Sequence, residues 1–207
     1  SLGRGVYPYW HPSGKYIAYS MNDTRQVFHS FDNKKIEVFD LSSDIVVYDI
    51  ENNKVLTSPL LKTGNFETFP SFSPDGRSIY FCLSDYKQLP AAYEDVRYNL
   101  CRITFDPENG TFGNIIDTLV NADVMGKSVS FPRPSYDGKY MMYTLSDYGT
   151  FSIWHKEADL WLLDLSTGEN RPLKEVNSDN TESYHSWSSN SRWFVFSSRR
   201  DNGLYTR

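Results

Sequence analysis

Four segments of the chain align without a gap, and this repeat limits the fold more than any other feature. They are Pro8–Ser20 (PYWHPSGKYIAYS), Pro70–Cys82 (PSFSPDGRSIYFC), Pro132–Thr144 (PRPSYDGKYMMYT) and His185–Ser197 (HSWSSNSRWFVFS). The turn positions Gly14, Gly76, Gly138 and Ser191 are spaced by 62, 62 and 53 residues. Each copy reads as a short apolar strand, a tight turn and a second strand. In Ser73-Pro74-Asp75-Gly76, Pro74 presets φ, Asp75 bonds the backbone ahead, and Gly76 takes the positive φ without steric cost. A base always follows the turn: Lys15, Arg77, Lys139 or Arg192. The next residues are apolar or aromatic, as in Ile79-Tyr80-Phe81 and Met141-Met142-Tyr143. Near-continuous apolar runs imply strands covered on both faces.

A second element follows the first three copies, at Asp44–Asp49, Asn99–Asp106 and Asp159–Asp164. Polar turns close each one, and short strands follow around Val55–Leu60, Ile115–Leu119 and Arg171–Leu173. One repeat is therefore four strands. Four-stranded repeats buried on both faces are propeller blades. The expected fold is all-β: a β-propeller of four-stranded antiparallel blades, about three and a half of them. The blades are expected near residues 6–63, 66–125 and 128–176, with a partial blade at 183–207. Propellers close with ~4–8 blades, so the chain is expected to be roughly half of one. Apolar residues should then crowd its two end faces: Trp10, Ile17, Tyr19, Val47 and Ile50 at one, Trp187, Trp193, Phe194 and Phe196 at the other.

Composition agrees. Fifteen Tyr, 13 Phe and 5 Trp make 16% of the 207 residues aromatic, which favours strands over an all-helical or disordered chain. A net charge of −5, with no Lys/Arg run longer than two, lacks the basic stripe of a nucleic-acid binder. No segment approaches the ~20 apolar residues of a membrane span. Cys82 and Cys101 are the only cysteines. They read as buried thiols or as a cross-strand disulfide, on neighbouring strands in either case. The sequence holds no G-x-S-x-G elbow, no H-E-x-x-H, no EF-hand loop and no phosphate-binding glycine motif. No catalytic residue, metal ligand or cofactor is expected.

The pattern x-P-x-[FW]-S-P-D-G-[KR]-x-[IL]-x-[FY], together with Asp159-Leu-Trp-Leu-Leu-Asp164 before a glycine-containing turn, resembles the WD-repeat-like propeller blades of the TolB type. The resemblance runs along essentially the whole chain. It implies a non-enzymatic protein-interaction or ligand-binding propeller, periplasmic or otherwise associated with the bacterial envelope. Its partner would be a protein or the remaining blades of the same propeller, with a small-molecule or sugar ligand as a further option. The alternative is the propeller part of a larger enzyme, either a domain gating a serine peptidase or a sugar-processing propeller.

Tight turns between first and second strands gather on one face of a propeller, and the connections between second and third strands on the other. Long insertions at Met21–Ser43, Ser84–Arg97 and Leu145–Ala158 make that second face the expected site. The candidate ligand-binding residues are Arg133 and His185, expected where inner strands enter, with Trp154, His155, Arg97 and His29 on the loops. Tyr7, Phe69, Phe131 and Tyr184 recur with the repeat as core or channel lining.

Overall fold

The computed structural model describes residues 5–28, 36–201, 203 and 206. Its described strands form three antiparallel meanders and a hairpin. The first holds β1 (Gly5–Trp10), β2 (Tyr16–Phe28), β3 (Ile36–Asp49) and β4 (Lys54–Leu56); the second β5 (Phe66–Phe72), β6 (Ser78–Ser84), β7 (Asn99–Asp106) and β8 (Thr111–Val120). The third holds β9 (Ser128–Pro134), β10 (Tyr140–Ser146), β11 (Asp159–Asp164) and β12 (Asn170–Pro172), and the hairpin β13 (Glu182–Trp187) and β14 (Phe194–Ser198). One parallel bridge, Ser43 to Phe66, joins the first meander to the second. The only helices among the described residues are short: α1 (Ala122–Met125) and two 3-10 turns, Tyr93–Asp95 and Ser152–Trp154. This is an all-β fold of four-stranded antiparallel blades, a β-propeller that is not closed.

The four copies of the tight turn are superimposable in their bonding. Each opening residue accepts from the turn position, at 2.9 Å in all four: His11 from Gly14, Ser73 from Gly76, Ser135 from Gly138 and Ser188 from Ser191. Asp75, Asp137 and Asn190 then accept from the backbone N–H of the following base. Those bonds exist only with a left-handed residue in the turn. Ser191 takes it at φ 57°, and its hydroxyl accepts from the Asp137 backbone N–H, tying the fourth turn to the third.

Strand alternation explains the continuous apolar runs. Ile79 and Phe81 of β6 pack toward the first meander with Ala18, Val47 and Ile103, while Tyr80 and Cys82 pack toward the third with Met141 and Tyr143. Met142 points the other way, onto Trp187, Phe194 and Phe196 of the hairpin. β6 and β10 thus each supply two interfaces, one per face.

Two expectations need correction, and one left open is settled. Met21–Ser43 is not a loop around a short hairpin: β2 and β3 continue as a paired arm to Phe28 and Ile36, past a bulge between Asn22 and Thr24. The pairing is tied by Asn22 and Thr24 of β2, which both donate to Asp40 of β3. At the ends, Val47 and Tyr19 are buried and Phe194 and Phe196 pack on the third meander, while Trp10 at 59%, Ile50 at 38% and Trp193 at 73% are exposed as expected, joined by Val195 at 70%. The cysteines lie on neighbouring strands, but Phe81, not Cys82, is opposite Cys101. A register offset of one residue sends the two thiols to opposite faces of the sheet, and both are free and buried.

The expected outcome of thiol titration without reductant is two thiols, unreactive in the folded chain and reactive once it is unfolded. A second test uses the turns. Gly76 and Gly138 have matching φ of 73° and 72°, but a Cβ on Gly76 would strike the His11 ring, whereas the space at Gly138 is open. Gly138→Ala should cost about 1–2 kcal/mol from the left-handed backbone. Gly76→Ala should cost about 1–3 kcal/mol more through overpacking, and His11→Ala should recover part of that excess in denaturant melts.

Candidate functional site

The inner strands carry the site, and one irregularity shapes all of them. Tyr7, Phe69, Phe131 and Tyr184 hold φ of 53°, 52°, 53° and 49°, each inside a register shift of its strand. Their rings form a ladder, with centroids 4.2 Å (Tyr7–Phe69), 4.3 Å (Phe69–Phe131) and 4.6 Å (Phe131–Tyr184) apart. The phenylalanines are buried and the tyrosines, at the two ends, are partly exposed. That placement suits a hydroxyl, which needs a partner or water.

On the tight-turn side of this ladder lies a cavity of about 540 Å3, spanning all four inner strands. Pro8, Pro12, Pro74 and Pro134 form parts of its rim. Its aromatic walls are Tyr9, Trp10, Phe72, Tyr136 and Trp187. Trp10 and Tyr136, at 59% and 58%, are among its exposed groups. Arg133 lines the same cavity. Its guanidinium sits 5.3 Å from the Tyr9 ring centroid, and the Trp187 indole N–H donates to its carbonyl at 3.0 Å.

Arg133 is therefore placed at the exit of β9, on the tight-turn side. The strand-entry position expected for it does not hold, because β9 begins at Ser128, upstream of the repeat's Pro132, so Arg133 falls next to the turn that opens at Ser135. His185, midway along β13, is buried behind this wall, with Nε2 donating to the Met142 carbonyl at 3.0 Å. Burial, then the nearby Arg133, lower its pKa to about 3. Trp154 lies under the Arg199 guanidinium, 4.3 Å from its ring centroid. His155 is buried, with Nδ1 2.8 Å from Glu157. Burial alone would raise Glu157, but the His155 bond and backbone N–H groups bring it to about 2. Arg97 is half-buried at the end of the second meander's loop. His29 lies outside the described residues. The structure thus brings only Arg133 and, behind it, His185 together. Tyr9 and Tyr136 carry no expectation from the sequence, and Trp10 and Trp187 were expected only on the apolar end faces, although each occupies a repeat position in or next to a turn.

The opposite, long-loop face is filled by the β2–β3 arm. Glu37 accepts from the Tyr148 hydroxyl at 3.0 Å, across to the third meander. The space among Glu37, Phe39, Leu89, Tyr93 and Thr150 is only about 10 Å3. Asp40 is buried there and accepts from Asn22 at 2.7 Å and Thr24 at 2.6 Å. Burial raises its carboxyl despite those bonds.

No protein-family model matches the sequence, and no curated protein matches it. Solved structures do. A TolB structure from Agrobacterium tumefaciens superposes with a TM-score of 0.52 and 19% identity, over 82% of this chain and 48% of its own. Hydrazine synthase from Kuenenia stuttgartiensis gives 0.53 at 14% identity, over 97% of this chain and 46% of its own. Prolyl oligopeptidase B from Galerina marginata, bound to a 25mer macrocyclization substrate, gives 0.57 at 13%, over 96% of this chain and 25% of its own. At these identities the likeness is one of fold. The chain spans about half the length of the first two and a quarter of the third.

The buried imidazole yields a pH test. The unfolded chain protonates His185 near ~6.5, while the folded chain holds it neutral down to about 3. Its contribution is complete above the unfolded value and is lost as pH falls between the two. Relative to His185→Gln, the native chain should lose stability from pH ~6.5 downward at up to ~1.4 kcal/mol per pH unit. Parallel melts of both proteins from neutral to acidic pH measure it; parallel pH profiles would contradict the burial of a neutral ring.

Proposed function

We propose that this chain is a non-enzymatic binding segment of a larger propeller of the bacterial envelope, and that it docks a partner at the tight-turn mouth of its channel. The carrying observation is the 540 Å3 cavity, which combines exposed aromatic rings with one arginine. Cavities of this size, mostly apolar with few polar groups, are the usual form of a binding site. Aromatic and arginine anchors are also what dominates interface energetics. The TolB likeness supports the envelope setting. The arm packed over the opposite face argues for the tight-turn side over the long-loop side.

A second reading, the propeller portion of a serine peptidase, draws on the fold likeness to prolyl oligopeptidase B. The two separate on the full polypeptide. Labelling by a fluorophosphonate would favour the peptidase, and its absence the binding propeller.

Docking is tested by placing a photo-cross-linking amino acid at Tyr136 and, as a control, at Arg25 on the arm, in living cells. The expected outcome is a discrete adduct from position 136 and none from position 25. Adducts from position 25 alone would move the docking surface to the long-loop side and defeat this assignment.

A further inference from the structure

Arg133 is the single charged side chain among the residues lining the cavity, and no carboxylate lines it. Among the described residues no acid reaches it. Its Nη1 donates to the carbonyl of its own neighbour Pro132 at 3.2 Å, and the ring of Tyr9 lies at 5.3 Å. Other arginines of the chain are neutralised locally: Arg102 by Asp117 at 2.8 Å and Arg200 by Glu182 at 3.4 Å. A partly buried guanidinium without an anion is costly, because neither the ring face nor a single carbonyl replaces the water it has lost. Burial lowers its pKa accordingly. Burial disfavours a second positive charge on the imidazoles nearby. His11 is lowered by burial, and its Nε2 is bonded to the Gly76 carbonyl at 3.1 Å.

The mount is rigid. Trp187 fixes the Arg133 carbonyl, and the bulge at Phe131 fixes the strand. Resting on the binding reading above, we propose that the cavity receives a peptide segment whose carboxylate is held by Arg133. The planar guanidinium fork matches a carboxylate with two parallel N–H···O bonds. The flanking surfaces decide for a peptide over a free anion. Tyr9, Trp10, Pro134, Tyr136 and Trp187 line the same cavity with flat apolar faces, the lining that holds extended chains in aromatic grooves.

The test uses the whole chain and three probes. One is an acetylated, amidated tetrapeptide of phenylalanine, proline, glutamate and phenylalanine; another is the same peptide with glutamine for glutamate; the third is glutarate. Calorimetry should show the glutamate peptide binding at least ~10-fold tighter than its glutamine counterpart, the usual scale of a charge-assisted bond. Arg133→Gln should erase that difference while leaving the melting temperature near the native value, and Arg133→Lys should keep part of it. Equal affinity for the two peptides, or a difference that survives in Arg133→Gln, overturns the carboxylate assignment and leaves the docking face standing. Glutarate binding as tightly as the peptide overturns the peptide in favour of a small organic acid. No binding of either peptide also overturns it, and a retained cross-link at position 136 then separates that failure from failure of the docking reading. If Arg133→Gln does not fold, the two peptides on the native chain still decide.

Discussion

Every inner strand in the molecule is interrupted at the same place by an aromatic residue in a left-handed backbone conformation. For a bulky side chain this costs about 1–3 kcal/mol at each position. The ladder of rings is what holds them there. Each ring meets the next at 4.2–4.6 Å, and the two phenylalanines are almost wholly withdrawn from water. Stacking of this kind adds ~0.5–1.5 kcal/mol per pair beyond burial. The bulge that carries each ring also decides what lies beyond it. In a regular strand, Tyr9 and Arg133 would fall in alternation with the blade interfaces; behind the bulge they face the mouth of the channel. Core and candidate site therefore share one device.

Much of the fold was legible because its signals are local. The turn residues in Ser73–Gly76 and their counterparts specify one bonding pattern four times, and the alternating apolar runs specify sheets covered on both sides. The arm was illegible as strand, because Asp23, Thr24 and Arg25 read as a polar connection. It is sustained by contacts with distant residues, such as Tyr148 on Glu37. Cross-strand register was likewise hidden. Nothing in the spacing of Cys82 and Cys101 says that Phe81 stands opposite the second cysteine.

The site was legible only in part. Arg133 stood out because the repeat puts it on an inner strand, next to the channel. Its direction did not, since a one-residue bulge reverses which way a strand residue faces. Trp154, His155 and Arg97 were chosen for their long connections. In the structure, the first two are engaged in holding the third meander to the hairpin: Arg199 covers Trp154, and the His155 carbonyl accepts from the Thr181 hydroxyl at 2.6 Å.

The Glu37–Tyr148 contact has a geometric consequence. Apart from it, the meanders mostly meet their immediate neighbours, and a stack joined only that way can fan open or tighten at each interface. A tie from the first meander to the third, across 111 residues of chain, skips one interface and bounds the sum of two angles. It therefore fixes curvature. An open arc with such a chord holds its radius, and with it the spacing of the walls of the cavity that Arg133 lines.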